Sequence, residues 1–410
     1  MTARLRIASL TTFYPPHHFG GDGVDVQRTA RALARRGHEV TVIYARDAYR
    51  TLAKGRDPAP VADPEVEVIG LESRMSRLSV LLTHQFGRPV VHKAALDALD
   101  RARRFDVVLL NNVSLIGGPG VFAFGRDAVR IYIAHEHWLI CPTHVLWRHN
   151  REACDGRECL RCVAAYRRPP QLWRYTGDLE RALRHVHAFV ARSEFSRRKH
   201  QEFGFPRDME VLPPLLPLRS STAPLPSPHP RPYFFYAGRL ERIKGVDDLV
   251  RAYPPDLDVD LLIAGDGQEL EALRALAKGD ARIRFLGPLS PDGLSAYYQH
   301  AIALVVPSRG FETFGLVLAE ALSHGTPAIV RRLGPLPDLI RDTGGGETFA
   351  TDEELVSHLR RYAADPAAAR HVGERGRAEL MRRCGGDAPL DQLLSIIERE
   401  LARKQSRATR

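Results

Sequence analysis

The sequence lacks an uninterrupted apolar segment long enough to cross a bilayer. The longest stretch without a charge, residues 107–125, is broken by Asn111, Asn112 and several glycines, so a buried strand followed by a loop is a better interpretation than a spanning helix. The N-terminus also lacks the pattern of a signal peptide, because residues 1–10 run directly into a strand-like segment. We therefore expect a cytoplasmic protein, with peripheral attachment to a membrane as an open alternative.

Acidic residues are too few in the first half of the chain to balance the basic ones. The net charge is +10, and up to residue 211 there are 33 Lys and Arg against 23 Asp and Glu, so the whole excess lies there. No nucleic-acid-binding motif accompanies this charge, and no nucleic acid is expected as a partner. The excess indicates either a solvated surface or a face for an anionic membrane or phosphorylated acceptor, with Arg167, Arg168, Arg197, Arg198 and Lys199 as candidate contacts.

Cysteine is scarce, yet four of the five cysteines lie close together in a C-x12-C-x4-C-x2-C pattern. In a reducing compartment, clustered thiols favour a metal site over disulfides, and four thiolates suit tetrahedral zinc. We predict a structural zinc in an insertion over residues 138–170, while disulfides, free thiols and an iron–sulfur cluster remain open. Cys384 is distant and is expected to be packed. The predicted zinc ligands are Cys141, Cys154, Cys159 and Cys162.

Both halves of the chain begin with a strand, a glycine-containing loop, a helix and a second strand. This order is typical of a parallel βαβ unit, and 410 residues favour two domains. The predicted fold class is therefore α/β, with two Rossmann-like domains facing a central cleft where ligands bind. The predicted elements are strands 5–10, 39–44, 233–237 and 261–264 and helices 24–36 and 246–253.

A segment rich in proline and serine, residues 212–232, separates the two halves. Proline disfavours a helix or a central strand there, so the segment is predicted to be a linker. The predicted domains on its two sides are an N-terminal domain at 1–211 and a C-terminal domain at 233–410. The last helix is expected to pack back on the N-terminal domain.

Two groups of residues are candidates for binding phosphate. Gly20 and Gly21 lie between a strand and a helix, where backbone N–H groups can approach an anion and the helix dipole is favourable. Arg239 and Lys244 flank the loop after strand 233–237, where a diphosphate would meet the next helix. A tight turn without a ligand and a pair of surface cations are the structural alternatives.

A third candidate is the segment of residues 307–327. Glu320 lies in the middle of an apolar helix, and burying a polar group without a partner costs roughly 2–7 kcal/mol. A ribose diol would supply partners, as in dinucleotide sites; a core arginine is the alternative. Glu312 precedes this helix, and Phe314 and Gly315 open it with free N–H groups.

These residues resemble glycosyltransferase family 4. The resemblance rests on the spacing of Glu312 and Glu320 and on residues 20–42, 238–245 and 264–267, and it covers nearly the whole chain. It implies the two-domain GT-B fold, a nucleotide-diphosphate sugar donor and retention of anomeric configuration. Where many relatives have proline after the first glutamate this chain has Thr313, so we expect a slightly less rigid loop.

The resemblance implies that residues 1–211 form the acceptor domain and residues 233–410 the donor domain. The roles of the family's donor-site residues carry over to the matching positions of this chain. The resemblance implies that Glu312 contacts hydroxyls of the donor sugar and Glu320 the ribose. It implies that Arg239 and Lys244 bind the diphosphate, assisted by the amides of Phe314, Gly315 and Leu316.

The family also places a histidine near the donor sugar, at the end of a strand that corresponds to residues 129–134. His135 occupies this position and is expected to bond the sugar's 6-hydroxyl and shape the cleft, without acting as a general base. His137 is the second candidate for this role, and a plain core histidine is the structural alternative.

The expected reaction is sugar transfer with same-face attack assisted by the leaving diphosphate. A nucleotide-sugar epimerase of similar fold and a non-catalytic scaffold that binds nucleotide or membrane are the alternatives. Asp256, Asp258 and Asp260 form a DxDxD run, which resembles the metal-binding motif of the other major glycosyltransferase fold. The run precedes a strand and so lies away from the ligand edge, and we expect a solvated acidic turn there. No catalytic metal or other catalytic cofactor is expected.

Overall fold

A computed structural model describes residues 4–53, 57–216 and 225–408. The chain divides into two compact units, and neither is continuous in sequence. The C-terminal segment belongs to the first unit, and a short segment of the cysteine-rich region belongs to the second. Residues 217–224 of the predicted linker lie outside the described residues. The first unit comprises Met1–His144, Glu158–Leu215 and Asp387–Arg410, and the second comprises Val145–Arg157 and Leu216–Gly386.

Strands and helices alternate along most of the chain, as the sequence pattern predicts. The elements up to residue 211 are β1 (Arg6–Thr11), α1 (Gly21–Arg35), β2 (Glu39–Ala45), α2 (Arg46–Leu52), β3 (Glu67–Leu71), α3 (Ser76–Phe86), α4 (Lys93–Arg103), β4 (Val107–Leu110), β5 (Val129–Ala134), β6 (Trp147–Arg148), β7 (Glu152–Ala153), α5 (Cys159–Ala165), α6 (Asp178–Leu183), β8 (Ala188–Ala191), α7 (Glu194–Glu202) and β9 (Glu210–Val211). The remaining elements are β10 (Tyr233–Ala237), α8 (Val246–Ala252), β11 (Asp260–Ala264), α9 (Leu270–Leu276), β12 (Ile283–Gly287), α10 (Pro291–His300), β13 (Ala303–Val306), α11 (Leu316–Ser323), β14 (Ala328–Arg331), α12 (Leu336–Thr343), β15 (Gly346–Phe349), α13 (Asp352–Ala364), α14 (Pro366–Cys384) and α15 (Ala388–Ala408).

The first unit is built on a seven-stranded parallel sheet in the order β3-β2-β1-β4-β5-β8-β9. Its central strands are buried along their whole length, which is why they appear in the sequence as continuous apolar runs. The strand order reverses between β1 and β4, so the crevice at their carboxyl ends is where a doubly wound sheet binds ligands.

The C-terminal helix α15 completes the core of the first unit. Its apolar side chains pack with those of α1 and of the central strands, and Leu393 and Ile397 are fully buried. The preceding turn and the first turn of α15 are tied to Arg36, whose Nη2 lies 2.7 Å from Asp387 and 2.8 Å from Asp391. This helix is therefore an integral part of the first sheet's packing.

The second unit is built on a six-stranded parallel sheet in the order β12-β11-β10-β13-β14-β15. The order reverses between β10 and β13, which places the loops after these two strands side by side at the carboxyl edge. Each unit is a Rossmann-like α/β sheet, so the prediction of an α/β protein with two Rossmann-like domains is confirmed. None of the helices in the described ranges is long and apolar enough to cross a bilayer.

The loops after β10 and β11 are held together by close backbone contacts. The amide of Gly238 donates to the carbonyl of Ala264 at 3.0 Å, and that of Leu240 donates to the carbonyl of Asp266 at 2.9 Å. Gly265 has a φ of +136°, and a Cβ there would lie 1.8 Å from the carbonyl oxygen of Gly238. Only glycine is compatible with this approach, which fixes the path of residues 238–245.

Candidate functional site

The loops after β10 and β13 bring Lys244 and Glu312 together, although the two residues are 68 positions apart in the sequence. The Lys244 Nζ lies 2.6 Å from Glu312 Oε1. The Ser308 hydroxyl donates to the same carboxylate oxygen at 3.0 Å. Two residues that the sequence assigned to a donor site are therefore in direct contact at the ligand-binding edge of the sheet.

The Glu312 carboxylate is kept ionised by these neighbours. Burial acts to raise its pKa, but the charge of Lys244 and the hydrogen bonds from Lys244 and Ser308 outweigh burial, so the pKa lies below its ordinary value. An ionised carboxylate accepts hydrogen bonds and donates none. Glu312 is therefore suited to accept from hydroxyl groups of a ligand.

Arg239 lies at the start of the same loop as Lys244 and is about half exposed. Its Nη1 donates to Glu241 Oε1 at 2.8 Å, within the loop. A guanidinium has five N–H donors, so one bond to Glu241 leaves capacity for an anion. Both predicted diphosphate-binding cations thus lie in one short loop, and each already contacts a carboxylate.

Helix α11 begins four residues after Glu312. Gly315 precedes its first residue with a φ of +98°, and a Cβ there would lie 2.6 Å from Leu336 Cδ2. As a glycine, the residue before the helix has no side chain with which to cap it. Its first-turn amides, including that of Leu316, have no intrahelical acceptor and carry the positive end of the helix dipole, which favours an anionic ligand.

Glu320 lies on α11 between buried apolar residues, as predicted, and it is itself half-buried. The buried Tyr298 of α10 lies near it, and burial together with the Glu320 carboxylate raises the pKa of that phenol well above its ordinary range. The structure thus brings a tyrosine close to Glu320. No pattern in the sequence indicates this pairing.

A charge network connects α8 to the ends of β13 and β14. Asp248 on α8 is paired with Arg309 and, at 2.7 Å, with Arg331. Arg331 Nε also donates to the carbonyl of Pro307 at 3.0 Å. The network fixes the start of the Glu312 loop against the helix that follows Lys244, and it was not found from the sequence.

In the first unit, His135 follows β5 at the carboxyl edge, as predicted. Its Nδ1 lies 3.3 Å from Asp25 Oδ2 and its Nε2 lies 2.9 Å from Asn111 Oδ1. The side chain is only 3% exposed. Both ring nitrogens therefore have protein partners, and a bond to a sugar hydroxyl would require one of these contacts to be exchanged.

Asp25 on α1 is also paired with Arg192, which follows β8. Both side chains are almost completely buried. Burial acts to raise the pKa of Asp25, but Arg192 and His135 outweigh it and hold the pKa below its ordinary value. This ion pair orients His135 and was not found from the sequence, although Asp25 lies within the stretch that resembles the family.

Gly20 and Gly21 form the start of α1, with Gly20 in an extended conformation before the helix. Asp22 lies in the first turn, and its Oδ2 accepts a hydrogen bond from Asn112 Nδ2 at 3.1 Å. A carboxylate there interacts favourably with the helix dipole and competes with any phosphate for the same helix end. The phosphate role of the two glycines stays a prediction.

The second histidine candidate, His137, is part of the core. It is 1% exposed, and its ring stacks on that of His200 with centroids 5.7 Å apart. Burial, His200 and Lys199 lower the pKa of His137 well below its ordinary value, so the ring is neutral. These surroundings are those of a packed histidine rather than of a ligand contact.

The three aspartates of the DxDxD run lie at and just before the start of β11, at the edge opposite the loops of Lys244 and Glu312. Asp260 is buried and contacts His229 at 2.7 Å and Arg231 at 3.0 Å. Asp258 also pairs with Arg231, and Asp256 pairs with an arginine of α13. Each carboxylate therefore has a cationic partner within the fold.

The four clustered cysteines are divided between the two units, because Cys154 belongs to the second unit and the others to the first. Within the described residues, none of the four forms a disulfide. Within the described ranges, no group of three or more His, Cys, Asp or Glu side chains is placed to hold a metal ion. The described geometry thus lends the zinc site no support, and it stays a prediction from the sequence.

Elemental analysis tests the zinc prediction. The sequence pattern predicts about one metal equivalent in purified protein, lost together with thermal stability when Cys159 and Cys162 are replaced by serine. Cys384→Ser is the matched control, since that cysteine is buried elsewhere. Metal-free wild-type protein whose thiols all titrate after unfolding would contradict a zinc site.

Two family models match consecutive parts of the chain. The model described as Glycosyltransferase Family 4 matches residues 19–219, and the model described as Glycosyl transferases group 1 matches residues 220–379. The chain is 33% identical over 192 residues to a phosphatidyl-myo-inositol mannosyltransferase of Mycobacterium leprae. That alignment covers 43% of this chain and 50% of the relative, so the chain matches about half the length of that protein.

Solved structures agree with this assignment at the level of the fold. The sucrose-phosphate synthase of Thermosynechococcus elongatus aligns with a TM-score of 0.73 and 19% identity, over 97% of this chain and 100% of that one. The structure of HepE from Anabaena in complex with UDP-glucose aligns with a TM-score of 0.63 and 17% identity, over 98% and 100% of the two chains. Two consecutive family matches on two Rossmann-like units mean that this chain belongs to glycosyltransferase family 4 and has the GT-B fold.

Proposed function

We propose that the chain is a retaining glycosyltransferase that moves a sugar from a nucleotide-diphosphate sugar to an acceptor. The observation that carries the proposal is the contact between Lys244 and Glu312 in the loop that leads into α11, which begins after a glycine. A cation, an ionised carboxylate and free amides at one sheet edge are the groups that a diphosphate and a sugar with several hydroxyls require together.

In this proposal the second unit binds the donor. Lys244 and Arg239 hold the diphosphate with the amides at the start of α11, and Glu312 accepts hydrogen bonds from the sugar hydroxyls. Glu320 accepts hydrogen bonds from the ribose diol, the role that the family resemblance gives it, and its side chain is only half-buried and so can be reached by a ligand. UDP-glucose is the first donor to test, since a structural relative binds it.

The groups that bind the diphosphate are also proposed to assist the chemical step. As the bond between the sugar and the diphosphate breaks, negative charge develops on the leaving oxygen, and Lys244, Arg239 and the α11 amides stabilise it. Glu312 already accepts two hydrogen bonds on one oxygen, which suits a group that orients the sugar rather than a nucleophile. We therefore propose same-face attack by the acceptor, in which the leaving phosphate takes the proton of the attacking hydroxyl.

A thermal-shift panel of nucleotide sugars tests donor binding. The cognate donor is expected to raise the melting temperature, by an amount that corresponds to about 2.7 kcal/mol at a hundredfold excess over Kd. Glu320→Ala is expected to remove most of this shift, since it deletes the ribose contact. Glu347→Ala is a matched control, because it removes a carboxylate of the same unit on β15. The absence of a shift with every nucleotide sugar would contradict the proposal.

A further inference from the structure

Helix α3 packs Val80 against the core, but it buries small polar residues and leaves several large apolar ones exposed. The small polar residues Ser79 and Thr83 are each 2% exposed, whereas Leu78, Leu81 and Phe86 are 41%, 47% and 57% exposed. A surface helix normally turns its apolar residues toward the core. Within the described residues, α3 therefore presents an apolar face on the surface of the first unit.

A neighbouring turn extends this apolar surface. The 3-10 turn Leu172–Tyr175 lies beside α3, where the indole Nε1 of Trp173 donates to the carbonyl of His84 at 2.9 Å. Leu172 and Tyr175 are each 58% exposed. Clustered exposed apolar side chains indicate an interaction site. The surface, called here the α3 face, comprises Met75, Leu78, Leu81, Phe86, Leu172 and Tyr175.

The charges next to the α3 face are mostly positive. Arg74, Arg77 and Arg88 are exposed on and beside the helix, and Arg167 and Arg168 shortly precede the 3-10 turn and are exposed as well. An apolar face with arginines at its border is typical of a surface that lies in the interface of an anionic bilayer.

The nearby acidic residues are already paired with other cations. Glu72 contacts Arg46 at 2.8 Å and Arg50 at 3.2 Å. Asp178 contacts Arg181 at 2.5 Å, while Arg88 is 4.0 Å away. The acids therefore do little to cancel the positive charge at the border of the α3 face.

We propose that the α3 face docks the protein on an anionic lipid bilayer. Leu78, Leu81 and Phe86 enter the headgroup region, and Arg77 and Arg88 contact lipid phosphates. The arginines at the border of the α3 face are complementary in charge to anionic lipid headgroups. An anionic bilayer therefore matches this surface better than an apolar protein partner does. This docking goes beyond the proposed sugar transfer and does not depend on it, because no residue of the donor site takes part.

The sequence also indicated Arg197, Arg198 and Lys199 of α7 as a membrane contact. This α7 cluster is a weaker candidate than the α3 face. Arg197 is paired with Glu194 at 2.5 Å, and Lys199 with Glu202 at 2.6 Å, all on the same helix. These pairs reduce the net charge that the helix presents. The docking surface is therefore assigned to α3, with the Arg167 and Arg168 pair next to it.

Co-sedimentation with vesicles tests the docking. Wild-type protein is expected to pellet with vesicles of phosphatidylcholine and phosphatidylglycerol at low salt. The combined variant Leu78→Gln, Leu81→Gln and Phe86→Gln is expected to lower the partition coefficient at least about tenfold, because it removes the apolar contacts. Leu276→Gln, at an exposed leucine of α9, is the matched control and should bind like wild type. Wild-type protein in the supernatant, or unchanged pelleting of the triple variant, overturns the proposal.

Two further measurements distinguish membrane docking from self-association of the protein. Tryptophan at position 81 (Leu81→Trp) is expected to show a blue-shifted emission that brominated lipids quench, whereas Leu276→Trp is not. A wild-type dimer that the triple variant makes monomeric, without vesicle binding, would assign the face to a second copy and overturn the proposal. Melting curves of the variants show whether they are folded, and nucleotide-sugar shifts that match wild type show that the donor site is intact.

Discussion

Lys244→Ala is expected to reduce kcat/KM for nucleotide-sugar turnover by about 100-fold or more, which is the loss typical of removing one preorganised charge stabiliser. The Lys244 ammonium is 2.6 Å from Glu312 and is proposed to neutralise the departing diphosphate. Its removal also leaves the carboxylate without its cation. The measurement is a steady-state assay of released nucleotide.

Two variants serve as controls for this prediction. Lys278→Ala removes an exposed lysine of the same unit and should leave turnover unchanged. Glu312→Gln keeps the shape of the side chain and removes its charge, so we expect a large fall in kcat with a smaller change in affinity. Equal turnover of wild type and Lys244→Ala would show that the loop after β10 does not bind the leaving group.

Asp25→Asn is expected to lower the free energy of unfolding of the first unit by about 3–5 kcal/mol, because it leaves the buried Arg192 without its counter-charge. The pair joins α1 to the end of β8 and contacts His135. Urea unfolding monitored by circular dichroism measures the loss. Glu194→Gln, which breaks the exposed pair with Arg197, is the control and should change stability by about 0–1 kcal/mol.

The pH dependence of stability has a defined sign for this pair. The pKa of Asp25 is lowered on folding from its ordinary value of 3.8, so its contribution is fully present above that value and is lost as the pH falls through the folded pKa. Replacing Asp25 by Leu together with Arg192 by Met should recover much of the stability, since a buried pair exchanged for apolar residues is often near neutral. Full stability of Asp25→Asn alone would contradict the described pair.

The sequence was sufficient for the parts of the fold that depend on local patterns. Strands β5 and β10 match the predicted boundaries because buried parallel strands appear as apolar runs between turn residues. Helix α1 begins three residues earlier than predicted, at Gly21, because an N-terminal glycine gives no apolar signal. Lys244 was found because it follows a strand at the ligand-binding edge, and Glu312 because it precedes an apolar helix and matches the family's pair of glutamates.

The remaining features depend on contacts between residues far apart in the sequence. The Asp25–Arg192 pair joins residues 167 positions apart, and no periodicity of either segment indicates the other. Tyr298 lies in a helix that looks ordinary in the sequence, and only packing brings it to Glu320. The exposure of Leu78 and Leu81 on α3 is decided by the elements that pack on the other side of the helix, which the local sequence does not reveal.

A crystal structure of the protein with a nucleoside diphosphate is the most direct measurement of the central claim, that the second unit binds the donor through the loops after β10 and β13. The account predicts the β-phosphate within hydrogen-bonding distance of Lys244 Nζ and of the amides at the start of α11, with the ribose hydroxyls on Glu320. A diphosphate bound elsewhere, with Lys244 and Glu320 making only the contacts they make within the fold, would contradict it.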